Sequence, residues 1–219
     1  MRVVAIDGPA GAGKSTVARA VAEALGLEVL NTGAMYRAVT YAVIQAGADT
    51  TDNQACRSAA MSAKIELTDQ VFLDGVEVST EIRGALVTSE VSTVSAHPGV
   101  REVLVEKQRV WATQHGGAVV EGRDIGTVVF PDALVKVFLT ASDEERARRR
   151  VIDEHSAGRE ANFAEVEADL ARRDAIDSGR SVSPLVAAED ALLLDSTTMT
   201  IEEVVKTIVR EFLAREQLQ

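Results

Sequence analysis

Apolar positions change their spacing several times along the chain, and each change marks a predicted element. Val3 to Ile6 is an unbroken apolar run of strand length, closed by Asp7 and a glycine-rich segment. From Lys14 to Leu25 the apolar residues Val17, Val21 and Leu25 fall four apart, which predicts a helix that Gly26 stops. Leu27 to Leu30 is a second short strand, and a helix from about Gly33 to Ala46 follows, ended by Gly47. Strand, helix, strand, helix is the rhythm of a parallel α/β sheet.

That rhythm breaks between Lys64 and Arg83. Ile65-Glu66-Leu67, Val71-Phe72-Leu73 and Val76-Glu77-Val78 are short alternating segments, and Asp74-Gly75 between the last two is a hairpin signal, so a small antiparallel insert is expected here. Pro98 suits the first turn of a helix running to about Gln114. Gly116-Gly117 separates that helix from the apolar strand Ala118 to Val120, and Val135 to Leu139 is another buried strand. Ser142 with Glu145, Asn162 with Glu165, and Thr200 with Glu203 have cap-like spacing, so a helix should begin at each; the strand Ala191 to Leu194 precedes the last.

With 219 residues, 46% hydrophobic and 26% charged, the sequence suits one globular domain with small appended lobes. A net charge of -11 argues against broad nucleic-acid binding, which leaves a basic footprint, but permits a small anionic substrate held in a locally positive pocket. The single cysteine, Cys56, excludes an internal disulfide, and no apolar run approaches membrane-spanning length. A cytoplasmic protein without a membrane partner is the expectation. His97, His115 and His155 lack ligand spacing, Tyr36, Trp111 and Phe130 read as packing aromatics, and Asp49 and Asp52 read as turn carboxylates.

The segment Gly8-Pro9-Ala10-Gly11-Ala12-Gly13-Lys14-Ser15 satisfies G-x-x-x-x-G-K-[ST] between a predicted strand and a predicted helix. Its glycines let successive N–H groups turn inward around phosphate oxygens, and the helix start adds a favourable dipole. Lys14 is expected at the β and γ phosphates of ATP, with the Ser15 hydroxyl on Mg2+. Such a loop does not by itself choose among kinases, GTPases and motors. Moving a phosphoryl group onto a second anion calls for several arginines, and Arg37, Arg101, Arg123, Arg173 and Arg180 are the candidates. Arg123 lies just past the carboxyl end of a predicted buried strand, where ligands collect in open α/β sheets.

These residues carry a resemblance. Asp7 to Thr16, Asn31 to Arg37, Glu81-Ile82-Arg83, Pro98 to Glu102, Glu121 to Asp132, Arg172 to Arg180 and Asp195-Ser196-Thr197 together resemble the bacterial cytidylate kinases, P-loop nucleoside monophosphate kinases. The resemblance implies an α/β P-loop core (1–35, 86–145 and 160–219), a monophosphate-binding lobe at about 36–100 containing the β insert 64–84, and a lid at about 146–159. It implies ATP held by Gly8 to Thr16 and catalytic charge neutralisation by Lys14, Arg123, Arg173 and Arg180. Thr32, Arg37 and Arg123 would surround the acceptor phosphate and ribose, Ser92, Arg101 and Asp124 would read cytosine, and Arg173 and Asp177 would hold the sugar. Thr32 stands where many members have serine, and Glu121 where an aspartate is common. A lid would close through Arg148, Arg149 or Arg159, although Glu144 with Arg148 and Glu145 with Arg149 also have the spacing of ordinary helix-surface pairs. The implied activity is transfer from ATP to CMP or dCMP by a monomer. A UMP or shikimate-type kinase of the same fold, or a nucleotide-dependent switch, are the alternatives.

Overall fold

The computed structural model describes residues 1–156 and 158–218. β1 (Arg2–Asp7) is the buried apolar run expected near the start, extended by one residue at each end. It leads through the glycine-rich loop into α1 (Lys14–Leu25), which Gly26 closes in the left-handed conformation, with the Leu27 N–H on the Ala22 carbonyl. β2 (Glu28–Asn31) and α2 (Thr32–Gln45) follow. Asn31 caps α2 by accepting from the Ala34 N–H at 2.9 Å, so the helix starts one residue before Gly33.

After α2 come α3 (Asn53–Ser62), β3 (Ile65–Leu67), β4 (Val71–Leu73), β5 (Val76–Glu77), a 3-10 turn at Glu81–Arg83, α4 (Ala85–Ala96) and α5 (Pro98–Gln114). Next are β6 (Gly117–Gly122), a π-helical turn at Ile125–Val129, β7 (Val135–Thr140), α6 (Asp143–Ser156), α7 (Phe163–Gly179), β8 (Leu192–Asp195) and α8 (Ile201–Glu216). All three expected caps form. Ser142 Oγ accepts from Glu145 N, Asn162 from Ala164 N and Glu165 N, and Thr200 with Glu203 makes a reciprocal capping box. α3 and α4 are additions to the predicted elements, and Asp52, expected as a turn carboxylate, is the N-cap of α3.

The chain forms two compact units, 1–29 with 112–219, and 30–111. In the first, β1 lies between β6 and β7, parallel to both, and β8 pairs in parallel with β7; the full strand order is β2-β6-β1-β7-β8. α1 and α8 pack their apolar faces on this sheet, where Val17, Val21, Ile208 and Phe212 meet Val4, Ile6, Val137 and Leu139. Each large side chain so buried contributes about 1.5–3 kcal/mol of transfer free energy.

The second unit, wider at both ends than the 36–100 expected for a lobe, carries the antiparallel sheet β3-β4-β5. Asp74 and Gly75 have φ of 52° and 83°, the pair of positive values that a two-residue hairpin turn needs to match strand twist. Val71, Leu73, Val78 and Ile82 pack with Ala34, Ala38 and Ala63 as this unit's core.

Candidate active site

Two parallel strands, β1 and β7, set the geometry of the phosphate loop. At its start a Cβ on Gly8 would stand 2.0 Å from the Leu139 carbonyl oxygen of β7, so only glycine lets the loop leave the sheet here. Gly13 is the left-handed N-cap of α1, and the next two side chains are the cation and the hydroxyl at the helix start. Lys14 is 7% exposed. Its Nζ donates to the carbonyls of Gly8 at 2.8 Å and Pro9 at 2.6 Å, which folds the ammonium back over its own loop. Burial, with the Arg123 guanidinium adding to it, pulls the Lys14 ammonium down to about 7, against the opposing pull of Glu121, Asp7 and Asp174.

β6 delivers Glu121 at its end, and Arg123 and Asp124 occupy the step into the π-helical turn. This step is pinned from β1: the Asp7 carboxylate accepts from the N–H groups of Ile125 and Gly126, each at 2.7 Å. Burial pushes the Asp7 carboxyl up to about 6 despite those two donors. Sequence reasoning assigns Asp7 no role, since its partners lie 118 and 119 residues away. A carboxylate ending an otherwise apolar strand was the available signal.

α7 brings the remaining arginines to this region. Asp177 accepts from Arg123 Nε at 2.9 Å and from Arg180 Nη2, so two predicted cations share one buried carboxylate. Burial pushes Asp177 up, but the two guanidiniums outweigh it and hold the carboxyl below its usual range. Arg173, one turn earlier on α7, is brought down to about 10 by burial first and by the Arg123 charge second. The Nε atoms of Arg173 and Arg180 are buried and, among the described residues, meet no hydrogen-bond acceptor. The arrangement is a buried cluster of guanidiniums around one carboxylate, a charge pattern suited to a phosphate oxyanion.

The other predicted ligands belong to the second unit. Thr32 is buried at the first position of α2, and Arg37, one turn on, donates to the Ile82 carbonyl at 2.9 Å and to Thr88 Oγ1 at 3.0 Å. Ser92 is buried on α4. Arg101 is buried on α5, donates to the Ser95 carbonyl at 3.2 Å, and lies over the Tyr36 ring at 5.4 Å.

The arginines of α6 take different partners. Arg148 and Arg149 both bond Glu145, so the first pair spans three residues rather than the expected Glu144 and Arg148. Arg149 also donates to Ser196 Oγ at 3.0 Å and to the Ser196 carbonyl at 2.8 Å. Arg146 is only 6% exposed and points at the phosphate loop.

A family description, cytidylate kinase, matches residues 4–214. The chain belongs to the cytidylate kinase family. It is 53% identical over 208 residues to the cytidylate kinase of Mycolicibacterium paratuberculosis, covering 93% of this chain and 91% of that one. To the cytidylate kinase of Desulfitobacterium hafniense it is 49% identical, covering 95% and 91% respectively. It also matches, at 50% identity, 41% of a bifunctional pantoate ligase/cytidylate kinase of Trichormus variabilis, so cytidylate kinase sequences of this kind occur within longer chains. A solved structure of an uncharacterized protein from Eubacterium ventriosum has the same fold, at 9% identity and a TM-score of 0.54 over 98% of this chain and 99% of that one. Within this cytidylate kinase chain, Lys14, Arg123, Asp124, Arg173, Asp177 and Arg180 belong to the first compact unit, and Thr32, Arg37, Ser92 and Arg101 to the second. No helix among the described residues is long and apolar enough to cross a membrane.

Proposed function

We infer that the protein transfers the γ-phosphoryl group of ATP to CMP, and to dCMP, working as a cytoplasmic monomer with no nucleic-acid partner. The observation that carries this is the pairing, within one compact unit, of a Lys14-bearing phosphate loop with a second buried cationic group at Arg123, Arg173 and Arg180. One cradle suits a donor polyphosphate, and the other a separate anion. The chemistry asks little of the protein beyond holding two anions in line and neutralising charge as it shifts toward the leaving phosphate. Lys14 is well placed for the donor phosphates once it exchanges its loop carbonyls for phosphate oxygens. Asp177 fixes Arg123 and Arg180 so that their remaining donors are set before substrate arrives.

A magnesium ion fits the Ser15 hydroxyl at the start of α1. Among the described residues no group of three or more His, Cys, Asp or Glu side chains could hold a metal, so most of its ligands would come from the nucleotide and water, as is usual for this ion. It would supply charge neutralisation at the transferring phosphate. For the base, Asp124 as acceptor and Arg101 as donor match the exocyclic amine and ring acceptors of cytosine; uracil places a carbonyl where the amine stood. Initial rates of ADP formation over a panel of CMP, dCMP, UMP, AMP and shikimate test the reading. CMP and dCMP should exceed the others by tenfold or more in kcat/KM, on the order expected when a buried hydrogen-bonding group loses its partner. Faster turnover of UMP or AMP would overturn the base assignment.

A further inference from the structure

Ala10, at the tip of the phosphate loop, is held on three sides by two helices that follow it by more than a hundred residues. Its carbonyl accepts from Arg146 Nη1 of α6 at 2.9 Å, and its N–H donates to Asp174 Oδ1 of α7 at 3.2 Å. Its methyl packs on Ala147 and Leu170, one from each of the same helices. The two polar partners are themselves joined, because Arg146 Nη1 also donates to Asp174 Oδ2, while Arg146 Nη2 donates to Asp143 Oδ1 at 2.6 Å. A Cβ on Gly11 would lie 3.0 Å from the Arg146 carbonyl oxygen, so α6 presses on the loop with its backbone as well.

We propose that Arg146 and Asp174 are positioning residues for phosphoryl transfer, a latch that fixes the tip of the donor loop against α6 and α7. The N–H of the Pro9–Ala10 peptide and the carbonyl of the Ala10–Gly11 peptide are each held by a side chain, so the orientation of the neighbouring loop N–H groups is set by the latch as well as by the glycines. Asp174 is next to Arg173 and one turn before Asp177 on α7. α7 is tied independently to the step after β6 through Asp177 and Arg123, so the second cationic group keeps its place when the latch is lost. Arg146 accordingly turns both of its terminal nitrogens to protein oxygens, those of Ala10, Asp174 and Asp143.

The inference rests on the kinase reading only for its turnover assay, since ATP affinity tests it without an acceptor. Calorimetric titration of ATP and, separately, of CMP into the full-length wild type, R146M, D174N and the double variant supplies the first readout. Steady-state kcat and KM for each substrate supply the second. Loss of the latch should weaken ATP binding about tenfold or more, with kcat/KM for ATP falling at least as far, because misplacing reactants by an ångström is costly. CMP affinity should stay within about twofold, a split that general destabilisation would not produce. Since the pair acts as one unit, the double variant should be within about threefold of the worse single variant, where independent effects would multiply. R146K, which retains a charged donor for the Ala10 carbonyl, should recover part of the loss. If R146M does not fold, the nearly isosteric D174N carries the same comparison. Unchanged ATP affinity in the folded variants, parallel loss of ATP and CMP affinity, or multiplying effects would each overturn the latch. A wild type that binds ATP but phosphorylates no CMP would instead overturn the acceptor assignment and leave the affinity test standing.

Discussion

Asp7 sits where a carboxylate is costly, at the end of a buried strand, and the N–H groups of Ile125 and Gly126 offset only part of that cost. Burial is the main reason its carboxyl is pushed up from 3.8 to about 6; Asp124 adds to the rise, and Lys14 opposes it. Below 3.8 the folded and unfolded chains both keep the proton, so Asp7 adds no pH dependence there. Between about 4 and 6 the unfolded chain releases its proton first, and stability falls as pH rises. The full penalty, roughly 3 kcal/mol at about 1.4 kcal/mol per pH unit, is reached near neutrality. Asp7→Asn has no proton to lose. Its offset from wild type, which includes the N–H left facing the amide nitrogen, should therefore shift by about 2 kcal/mol in the variant's favour between pH 4 and pH 7. Urea denaturation of both proteins across that range measures the shift, and a pH-independent offset would show that Asp7 titrates normally.

At the scale of elements, close backbone approach decides what the phosphate loop tolerates. Gly8 meets the carbonyl of Leu139, and β7 is held on its other edge by β8, so the obstructing atom belongs to a paired strand rather than to a flexible side chain. Gly8→Ala should cost about 4 kcal/mol or more, in the range where a named clash removes most of a domain's stability. The expected result is a collapse in soluble yield or in the denaturation midpoint, and a wild-type midpoint would contradict the stated approach. The elements around this loop were readable because their signals are local: a glycine run, apolar positions four apart, and cap residues three before a glutamate. α3 and α4 were not. In α3 the buried positions are Cys56 and Ala60, small residues, and no large branched apolar side chain marks the buried face. α4 is rich in Val, Ser and Thr, residues with weak helix preference, and its helix stands on tertiary packing of Val87, Val91 and Val94. The contacts of Asp7, Arg146 and Asp174 were hidden for a different reason, since each side chain bonds backbone distant in sequence and no spacing rule reaches that far.

Across the whole molecule, a net charge of -11 coexists with a buried cationic cluster whose parts come from positions 123, 173 and 180. The sequence motifs identified these arginines individually, and folding β6 and α7 into one unit is what brings them together. Three guanidiniums then surround one carboxylate, burial and mutual repulsion lower Arg173, and two buried Nε donors have no acceptor among the described residues. On the proposed reading an anion joining this cluster offsets the repulsion among its guanidiniums, so the phosphate of the acceptor, more than its base, should stabilise the fold. At a CMP concentration a hundredfold above its dissociation constant, binding adds about 2.7 kcal/mol, which for a chain of this size raises the melting temperature by roughly 5–10 °C. Cytidine at the same concentration, lacking the phosphate, should give a far smaller shift, while inorganic phosphate alone should give a measurable one. Adding salt should reduce the phosphate shift only modestly, because a buried pair is screened less than a surface one. Equal stabilisation by cytidine and CMP in a thermal melt would mean that the base supplies the binding energy and that the arginine group serves another purpose.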